Sequence, residues 1–513
     1  MRYSVLIKNA TVVDGTGRAP YQADIGVLGT IVKAIRPVGQ LTEGDLVIDA
    51  TNLYVTPGFI DITNHSDTYG TLFSLPSQDS LISQGVTTIL IGNCGYSLAP
   101  MYQKSALEDL SRWTTGEESN VDWNSVSEFY EALYAMGMGV NVATLVGHET
   151  LRKNAHTQEE MALLLDRAFQ EGAWGMSSNI SLSGRVEEVR EELKSLLPIV
   201  KKYNGVFKVH LGDEGQNMLP AVAGILAIAR EIGVRTIFSH LKAIGRKSWR
   251  DFHKALEMIR RAQEEGVPIT FDVFPYARTG SMLLSLLPAW AKDGDNATIL
   301  ARLNNPETYQ YILKELQTIT LHGERILIAS VFKDKTLVGK TLYEISLNMG
   351  ISQEEALLLI LKTNNLGVTI FGKTLYPKNI IDALKEKNSI VASDGAGYGV
   401  SYEAAQGLVH PRSFGAFARF ISKIGPLANL SIESIIHKIT ELPAQAIGIP
   451  RGVLAEGTVA DIAIFHPEEF SDRATYATPY AFSVGMKYVL VNGEVSLENG
   501  ILNRRGVGFI LKK

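Results

Sequence analysis

The chain has 513 residues, which is too long for a single ordinary hydrophobic core and predicts two or more domains. Apolar residues make up 45% and charged residues 20%, the profile of a globular protein, and the net charge of −5 gives no indication of nucleic acid or an anionic membrane as a partner. No apolar run reaches the length of a membrane span, and residues 1–7 are too short and strand-like for a signal peptide, so we expect a cytoplasmic protein. The single cysteine, Cys94, cannot form an intrachain disulfide.

Residues 1–58 are predicted to form short strands joined by turns. The pairs Asp14-Gly15 and Gly29-Thr30 are turn signals that lie between apolar runs. Helical periodicity is not found in this segment, so we expect only strands here.

From Gly58 onward, short apolar runs alternate with longer helical patterns such as "EEMALLLDRAFQEG" and "FHKALEMIRRAQEEG". This alternation predicts βαβ units and a parallel sheet, and eight such runs fit a closed (β/α)8 barrel of the TIM type, an α/β fold. An open doubly wound sheet is the alternative, but no glycine-rich phosphate motif follows the early strands. The predicted strands are Phe59–Ile62, Thr87–Ile91, Asn141–Val146, Gly172–Ser177, Val206–His210, Thr236–Ser239, Ile269–Val273 and Ser389–Ala392.

Residues 280–385 lie between the last two predicted barrel strands and have mainly helical spacing, as in "SMLLSLLPAWAKDG" and "SQEEALLLILK". A connection of this length at the loop end of a barrel is expected to form a lid or a subdomain over the site. The tail returns to strands in "TVADIAIFHP" and "MKYVLVNGEVSLENG". We therefore predict a barrel over 59–446 with a helical insertion late in the barrel, and a small β-sandwich domain built from 1–58 and 447–513.

Polar residues at the ends of the predicted strands indicate where chemistry takes place. Barrel enzymes carry their catalytic groups at the C-terminal ends of the strands. Residues of metal-ligand or acid–base type follow five of the eight predicted strands: His65 and Asp67, Cys94, His210, His240, and Asp394.

One thiolate and two imidazoles, from Cys94, His210 and His240, suit a catalytic zinc ion that keeps its fourth position open. Each residue alone also fits a packed cysteine or a hydrogen-bonded core histidine, but their joint occurrence at strand ends favours the metal site. Zinc lowers the pKa of its bound water to about 7 and polarises a carbonyl oxygen. Asp394 is then predicted to accept the proton of that water as a general base and to deliver it to the leaving nitrogen.

A series of motifs runs in order along nearly the whole chain: "VTPGFIDITNHSD", "ISQGVTTILIGNCGYSLAP", "VHLGDEG", "FSHLKAIG", "ASDGA" and "HPRSFGAFAR". Together they resemble the D-aminoacylase (N-acyl-D-amino-acid deacylase) family of the amidohydrolase superfamily. The Gly-Asn-Cys-Gly and Ser-His-Leu-Lys stretches are the most specific. The resemblance implies hydrolysis of the amide bond of N-acyl-amino acids of D configuration, with zinc on Cys94, His210 and His240 and with Asp394 as the catalytic acid–base group.

Two departures from the family pattern affect the metal centre and the substrate. The family usually has His-x-His after strand one, which supplies a second, weaker metal position, whereas this chain has Thr63 and His65 there. Because a threonine hydroxyl is a poor zinc ligand, we expect one tight zinc ion and a weak or absent second site, with His65 contacting the metal-bound water or simply packing. Gly212 stands where relatives commonly have arginine, and residues 177–187 replace a segment that carries Tyr and Pro in relatives, which leaves the substrate open.

Three further residues are candidates for holding the substrate. Lys242 lies two residues after His240, Arg412 follows the last predicted strand by a loop, and Tyr276 lies just past strand seven. A lysine or arginine suits a free carboxylate on an N-acyl amino acid, and Tyr276 can donate a hydrogen bond to that carboxylate or to an oxyanion. Surface ion pairs and a packed ring are the alternative interpretations. His148, at the end of strand three, is a weaker candidate for lining the mouth.

Three hypotheses about function follow. The first is an N-acyl-amino-acid deacylase whose partner is a small-molecule amide, the second is a related amidohydrolase that acts on a cyclic amide or a dipeptide, and the third is a non-catalytic barrel scaffold. The absent first histidine favours the third, whereas the retained zinc ligands and Asp394 argue against it. The sequence contains no heptad pattern from which to predict an oligomeric state.

Overall fold

The computed structural model of the chain describes residues 1–103, 121–180, 186–400 and 407–513. The first 57 residues form strands and no helix, as the sequence predicts. These strands are β1 (Tyr3–Val12), β2 (Tyr21–Leu28), β3 (Ile31–Arg36), β4 (Gly44–Asp49) and β5 (Tyr54–Pro57).

Seven parallel strands follow at the predicted places. Every residue of the second strand, Val86–Ile91, and of the third, Asn141–Gly147, is buried, as expected for strands that are covered on both faces. The fourth begins at Gly175 rather than at Gly172, because Gly172 has a positive φ of 105° and ends the preceding helix. The strands are β6 (Phe59–Asp61), β7 (Val86–Ile91), β8 (Asn141–Gly147), β9 (Gly175–Asn179), β10 (Val206–His210), β11 (Arg235–Phe238) and β12 (Ile269–Val273).

Helices connect these strands and cover the outside of the barrel. Amphipathic sequence and polar capping residues favour these helices. Ser125 and Glu128, for example, make a capping box at the start of the third helix, Val126–Met136. In the described ranges they are α1 (Thr71–Ser74), α2 (Asp79–Ile82), α3 (Val126–Met136), α4 (His148–Asn154), α5 (Gln158–Gln170), α6 (Val186–Lys202), α7 (Met218–Ile232) and α8 (Asp251–Glu264).

The insertion after β12 combines the predicted helices with a sheet that helical spacing does not reveal. Three antiparallel strands, β13 (Thr279–Met282), β14 (Ile326–Val331) and β15 (Val368–Gly372), lie in the order β13-β15-β14 and pack with helices around a separate hydrophobic cluster that includes Leu283, Ile328 and Leu357. The stretch "SMLLSLLPAWAKDG" forms two short 3₁₀ turns, Leu283–Leu286 and Ala289–Lys292, instead of one helix. The α-helices of the insertion are α9 (Asn296–Asn304), α10 (Pro306–Leu316), α11 (Leu342–Met349), α12 (Gln353–Thr363) and α13 (Pro377–Lys385).

The eighth barrel strand, β16 (Ser389–Val391), pairs with β12, so the sheet runs β16-β12-β11-β10-β9-β8-β7-β6. Its two ends meet through a parallel bridge between Asn64 and Gly395, in which the His65 amide donates to the Gly395 carbonyl at 2.7 Å. The expectation of a TIM-type barrel is thereby confirmed. Further helices follow: α14 (Arg412–Arg419), a π-helical stretch Phe420–Ile424, α15 (Gly425–Leu427), α16 (Ile432–His437) and α17 (Glu441–Ile447).

The chain ends return to the first sheet, which confirms the small β-domain built from both termini. The nine strands form one hydrogen-bonded sheet, in which β1 pairs with β4 in its first half and with β5 in its second. The tail then runs along the bottom of the barrel, where Val142 exchanges backbone hydrogen bonds with Phe509 and Leu511. The last strands are β17 (Ile462–Phe465), β18 (Met486–Val491), β19 (Glu494–Glu498) and β20 (Ile501–Leu502).

A buried carboxylate joins the β-domain to the bottom of the barrel. Asp461 accepts hydrogen bonds from the Asn141 side chain at 2.9 Å and from the Asn492 amide at 2.7 Å, and it pairs with the Arg451 guanidinium at 2.9 Å. Asn141 begins β8, so this junction fixes the β-domain against a barrel strand. Across the described ranges, none of the helices combines the length and apolarity needed to cross a bilayer.

Candidate metal centre

Three side chains from three different strand ends converge at the mouth of the barrel. The Cys94 sulfur lies 3.2 Å from His240 Nε2, and His240 Nε2 lies 3.0 Å from His210 Nδ1. One ligand-type atom from each of the three lies within 4.8 Å of the other two. The structure therefore brings together the residues that the sequence predicts as zinc ligands.

The donor set and its spacing fit zinc. Bond lengths of about 2.3 Å to sulfur and 2.0–2.1 Å to nitrogen put neighbouring ligands of a tetrahedral site about 3.3–3.6 Å apart. The separations from Cys94 to His240 and from His240 to His210 are within a few tenths of an ångström of that range. A thiolate with two imidazoles is also a donor set that zinc favours, and it leaves a fourth position for a reacting group.

Backbone conformation aims these side chains at one point. Cys94, His240 and Asp394 all have positive φ angles, of 54°, 36° and 51°, a region that residues with a Cβ atom rarely adopt. The turn before Cys94 is tight: a Cβ atom at Gly92 would lie 2.2 Å from the Leu145 carbonyl oxygen. Strained backbone of this kind persists only where the surrounding structure fixes it, and it concentrates at functional sites.

Asp394 and His65 complete the cluster from the joining edge of the barrel. His65 Nε2 lies 3.2 Å from Asp394 Oδ1 and 4.0 Å from the Cys94 sulfur. The other carboxylate oxygen of Asp394 forms an ion pair with the Arg412 guanidinium, and both side chains are largely buried. The candidate base is thus held between an imidazole and a guanidinium.

Mutual electrostatics keep the acidic members of the cluster ionised. Burial raises the pKa of the Cys94 thiol, but the positive charge of His240 and hydrogen bonds from the imidazoles hold that pKa well below its usual range. Burial also opposes ionisation of Asp394, yet Arg412, His240 and His65 hold its pKa well below the ordinary value. Against the effect of burial, Asp394 and Cys94 raise the pKa of His65 to about 10. The thiolate and the carboxylate are the forms that bind a metal or accept a proton.

Lys242 reaches the cluster together with an acidic residue that the sequence reasoning missed. Its ammonium group lies 2.8 Å from His240 Nδ1 and pairs with Glu214, which also lies 3.4 Å from His240 Nδ1 and 3.9 Å from His210 Nε2. Although burial opposes it, the charges of Lys242 and His210 lower the pKa of Glu214 to about 2. A carboxylate on the far nitrogen of a metal-binding histidine orients its ring. The spacing from His210 to Glu214 in "HLGDE" is the signal that could have found it.

A buried ion pair that the sequence analysis did not identify, Lys208 with Asp272, lies inside the barrel. Lys208 and Asp272 are completely buried, and their side chains pair at 3.3 Å. The Lys208 ammonium donates to the Thr63 hydroxyl at 2.6 Å, and that hydroxyl donates to Asp272 Oδ2 at 2.8 Å. Asp272 Oδ1 accepts a hydrogen bond of 2.7 Å from the His240 amide. A charged residue two positions before His210 on β10 faces the same side as that histidine, which is the signal in the sequence.

Tyr276 is not brought into the cluster. Its ring is buried against His410 and Tyr476, and its hydroxyl donates to the Pro411 carbonyl at 3.3 Å. The side chain therefore braces the loop that precedes Arg412. The contact of Tyr276 with substrate stays a prediction, and in this conformation its hydroxyl is directed at the backbone.

His148 lies next to the described part of the altered segment, at the ends of β8 and β9. His148 is fully buried, with Nδ1 3.1 Å from the Ser178 hydroxyl and Nε2 3.0 Å from a Glu192 carboxylate oxygen. Of the stretch 177–187, residues 181–185 lie outside the described residues. Gly212 faces Ile180: a Cβ atom there would lie 3.3 Å from the Ile180 side chain.

A cavity lies beside Arg412, between the barrel mouth and the insertion. The insertion contributes β13 and β15, and the barrel contributes the loops around Gly395 and Arg412. Most of the side chains that line it are aromatic or aliphatic. They include Tyr69, Ile370, Phe371, Tyr398, Leu408 and Val409.

Comparison with known proteins shows that this chain is similar to amidohydrolases in both sequence and structure. Residues 46–202 match the model of the Amidohydrolase family. An N-acyl-D-aspartate deacylase from Alcaligenes xylosoxydans xylosoxydans is 30% identical over 95% of this chain and 91% of its own length. The crystal structure of N-acyl-D-glutamate deacylase from Bordetella bronchiseptica, complexed with zinc and a phosphonate mimic of the tetrahedral intermediate, covers 100% of both chains at 27% identity and a TM-score of 0.84. A D-aminoacylase with a binuclear metal centre, for which one-metal activation and second-metal attenuation are described, covers 100% of both chains at 26% identity and a TM-score of 0.82.

Proposed function

Because the chain belongs to the N-acyl-D-amino-acid deacylase family of amidohydrolases, we propose that it hydrolyses the amide bond of N-acyl-D-amino acids with zinc bound at Cys94, His210 and His240. The observation that carries this proposal is the convergence of these three side chains within 4.8 Å of one another. Asp394 lies beside them, 3.2 Å from His65. A scaffold protein has no need of an open metal site with an adjacent carboxylate.

Zinc, when bound, supplies an activated water molecule and polarises the carbonyl group of the substrate. We propose one tight ion per chain, because Thr63 replaces an imidazole with a hydroxyl that Lys208 and Asp272 already engage. His65 is then left to contact Asp394 and the reacting water rather than a second ion.

Asp394 is the proposed proton carrier. Its carboxylate accepts a proton from the attacking water and returns it to the nitrogen of the leaving amine. The Arg412 ion pair lowers the proton affinity of Asp394. A substrate carboxylate that binds Arg412 would weaken this ion pair and raise the proton affinity of Asp394 when substrate is present.

Arg412 and Lys242 are the proposed binding groups for the free carboxylate of the substrate. Arg412 presents a planar guanidinium at the wall of the cavity, and such a group recognises carboxylates in a bidentate manner. Lys242 lies on the opposite, His240 side of the cluster. Tyr276 is proposed to position the Arg412 loop instead of contacting the substrate.

The insertion over 280–385 is proposed to act as a lid of the substrate pocket. Its strands β13 and β15 form one wall of the cavity beside Arg412. The apolar lining favours an acyl group or a side chain without charge at that wall.

The test measures amine release from N-acetyl-D-amino and N-acetyl-L-amino acids, with acidic, aliphatic and aromatic side chains, by zinc-loaded protein. We expect turnover of D substrates only, and loss of that turnover in Cys94→Ala, which removes the thiolate ligand. A hydantoin and a dipeptide in the same panel test the alternative of a cyclic-amide or dipeptide hydrolase. Zinc binding with silence across the D series, or a protein that binds no zinc, contradicts the proposal.

A further inference from the structure

The buried ammonium group of Lys208 has no role in the proposed reaction, yet it lies next to the metal cluster. Lys208 is on β10, two residues before His210, and its side chain is 0% exposed. It donates to the Ile62 carbonyl and the Thr63 hydroxyl, at the end of the first barrel strand. A positive charge is therefore fixed where the first strand approaches the metal ligands.

The oxygen atoms around this ammonium group are all engaged. The Thr63 hydroxyl accepts from Lys208 and donates its proton to Asp272. Asp272 uses one carboxylate oxygen for Thr63 and Lys208 and the other for the His240 amide. Neither Thr63 nor Asp272 can turn towards a second cation without giving up a contact with Lys208 or with the His240 amide, and a second cation would lie beside a buried positive charge.

We propose that the Lys208 ammonium group occupies the place of a second metal cation in this barrel, so that the enzyme binds a single zinc ion and keeps its activity in excess zinc. The proposal rests on the proposed function, since it concerns the same centre. It assigns Lys208 a role as a built-in cation, with Thr63 as its neutral acceptor and Asp272 as its counter-ion.

The alternative is that Lys208 is only a structural ion pair and that the missing imidazole at Thr63 alone prevents a second ion from binding. The two explanations differ in what a new ligand would do. If like-charge repulsion excludes the ion, adding an imidazole at position 63 changes nothing while the ammonium group remains. If only the ligand is missing, the imidazole by itself restores the second site.

This inference predicts a contrast with the D-aminoacylase whose binuclear centre is described as attenuated by its second metal. The activity of this enzyme should stay constant as zinc is added beyond one equivalent. Its second zinc should bind at least 100-fold more weakly than the first.

The experiment counts zinc per chain by elemental analysis after equilibration with buffered free zinc, in the full chain and in two variants. We expect one zinc ion in the unmodified enzyme and in Thr63→His, and two in the double variant Thr63→His/Lys208→Gln, whose glutamine keeps a hydrogen-bond donor without the charge. Deacylase activity is recorded in parallel from one to 100 equivalents of zinc, and it should fall only in the double variant.

Lys438→Met is the matched control for the loss of a buried ammonium group. Lys438 lies at the opposite end of the barrel, where it donates to the Glu386 and Ser389 carbonyls, and its replacement should leave one zinc ion bound. Two zinc ions bound with similar affinity in the unmodified enzyme would overturn the proposal. This measurement needs no variant, so the proposal remains testable even if the double variant does not fold. Two ions in Thr63→His overturn it as well, as does a single ion in a folded double variant.

Failure of the further inference can be told apart from failure of the proposed function. Turnover of N-acetyl-D-amino acids with two zinc ions bound refutes the role of Lys208 and leaves the deacylase intact. One zinc ion without turnover of any N-acyl substrate refutes the deacylase, whereas the stoichiometry still supports the role of Lys208.

Discussion

The two ends of the barrel differ in which residues adopt positive backbone φ angles. At the mouth they include Cys94, His240 and Asp394, all of them functional side chains in the proposed mechanism. At the bottom, Asn204 and Asn492 have φ angles of 49° and 51°, and asparagine tolerates this region at little cost. Of the three residues at the mouth, only Cys94 is not of a residue type enriched in this region, and such strain costs on the order of 1–3 kcal/mol of stability. The fold therefore has a strained cysteine where side chains must converge and has asparagines where the domains are joined.

The two ends of the barrel should therefore respond differently to substitution. The mouth holds groups that are close together in order to react, so changes there should alter turnover or zinc binding. The bottom holds groups that satisfy one another, such as Asp461 with Arg451, so changes there should alter stability.

The largest effect is expected for Asp394→Asn at the mouth. The amide keeps the shape of the side chain but cannot accept the proton of the attacking water, so kcat should fall about 10³-fold, within the usual range for a general base. Steady-state amine release measures kcat, and elemental analysis should still find one zinc ion. A kcat within tenfold of the unmodified enzyme would contradict the role of Asp394.

Asp461→Ala tests the bottom of the barrel. Removing this carboxylate leaves the Arg451 guanidinium buried without its counter-ion, which should lower the free energy of unfolding by about 3 kcal/mol. Urea denaturation followed by circular dichroism measures the change, and kcat/KM should stay within about twofold. A variant with unchanged stability and impaired turnover would remove the distinction between the two ends.

Gly92→Ala tests the turn that directs Cys94. A Cβ atom would overlap the Leu145 carbonyl at 2.2 Å, so the turn must move, and zinc affinity should fall about 10–100-fold, as when support for a metal ligand is lost. Competition with a chelator measures that affinity. The matched control is Gly457→Ala in the β-domain, where φ is also positive, at 86°, but nothing lies within 4 Å. Equal zinc affinity in the two variants would show that the turn does not position the thiolate.

The smallest effect is expected for Arg412→Lys. A lysine keeps the positive charge beside Asp394 but loses the bidentate contact, so KM for N-acetyl-D-amino acids should rise about tenfold. The same kinetics with an N-acetyl-D-amino acid amide, which has no carboxylate, should show no such increase. An equal rise in KM for both substrates would indicate that Arg412 acts through Asp394 alone.

The elements that could be predicted from sequence are those with local signals. The eight barrel strands are apolar runs between helical patterns, and the proposed ligands Cys94, His210 and His240 follow directly from the ends of those strands. The sheet in the insertion could not be predicted in this way, because β13 and β15 are short and become a sheet only by pairing across more than eighty residues.

The groups that sequence reasoning missed depend on distant contacts. Lys208 and Asp272 are charged residues within apolar strands that are separated by β11, and their shared contact with Thr63, at the first strand, forms only when the barrel closes. The position of Tyr276 after a strand predicts a contact with substrate, whereas the direction of its side chain depends on the Pro411 carbonyl and on Tyr476, which the sequence does not place beside it.

The separate hydrophobic core of the insertion bears on how such an enzyme can diversify. Helices α9–α12 pack on that core, whereas β13 and β15 line the cavity. Exchanges at cavity-lining positions of these strands that lie outside that core, for example at Ser281 or Thr369, can reshape the pocket without disturbing the zinc ligands, which belong to the barrel. Libraries restricted to these few positions are therefore a rational starting point for changing the substrate range while keeping the hydrolytic centre.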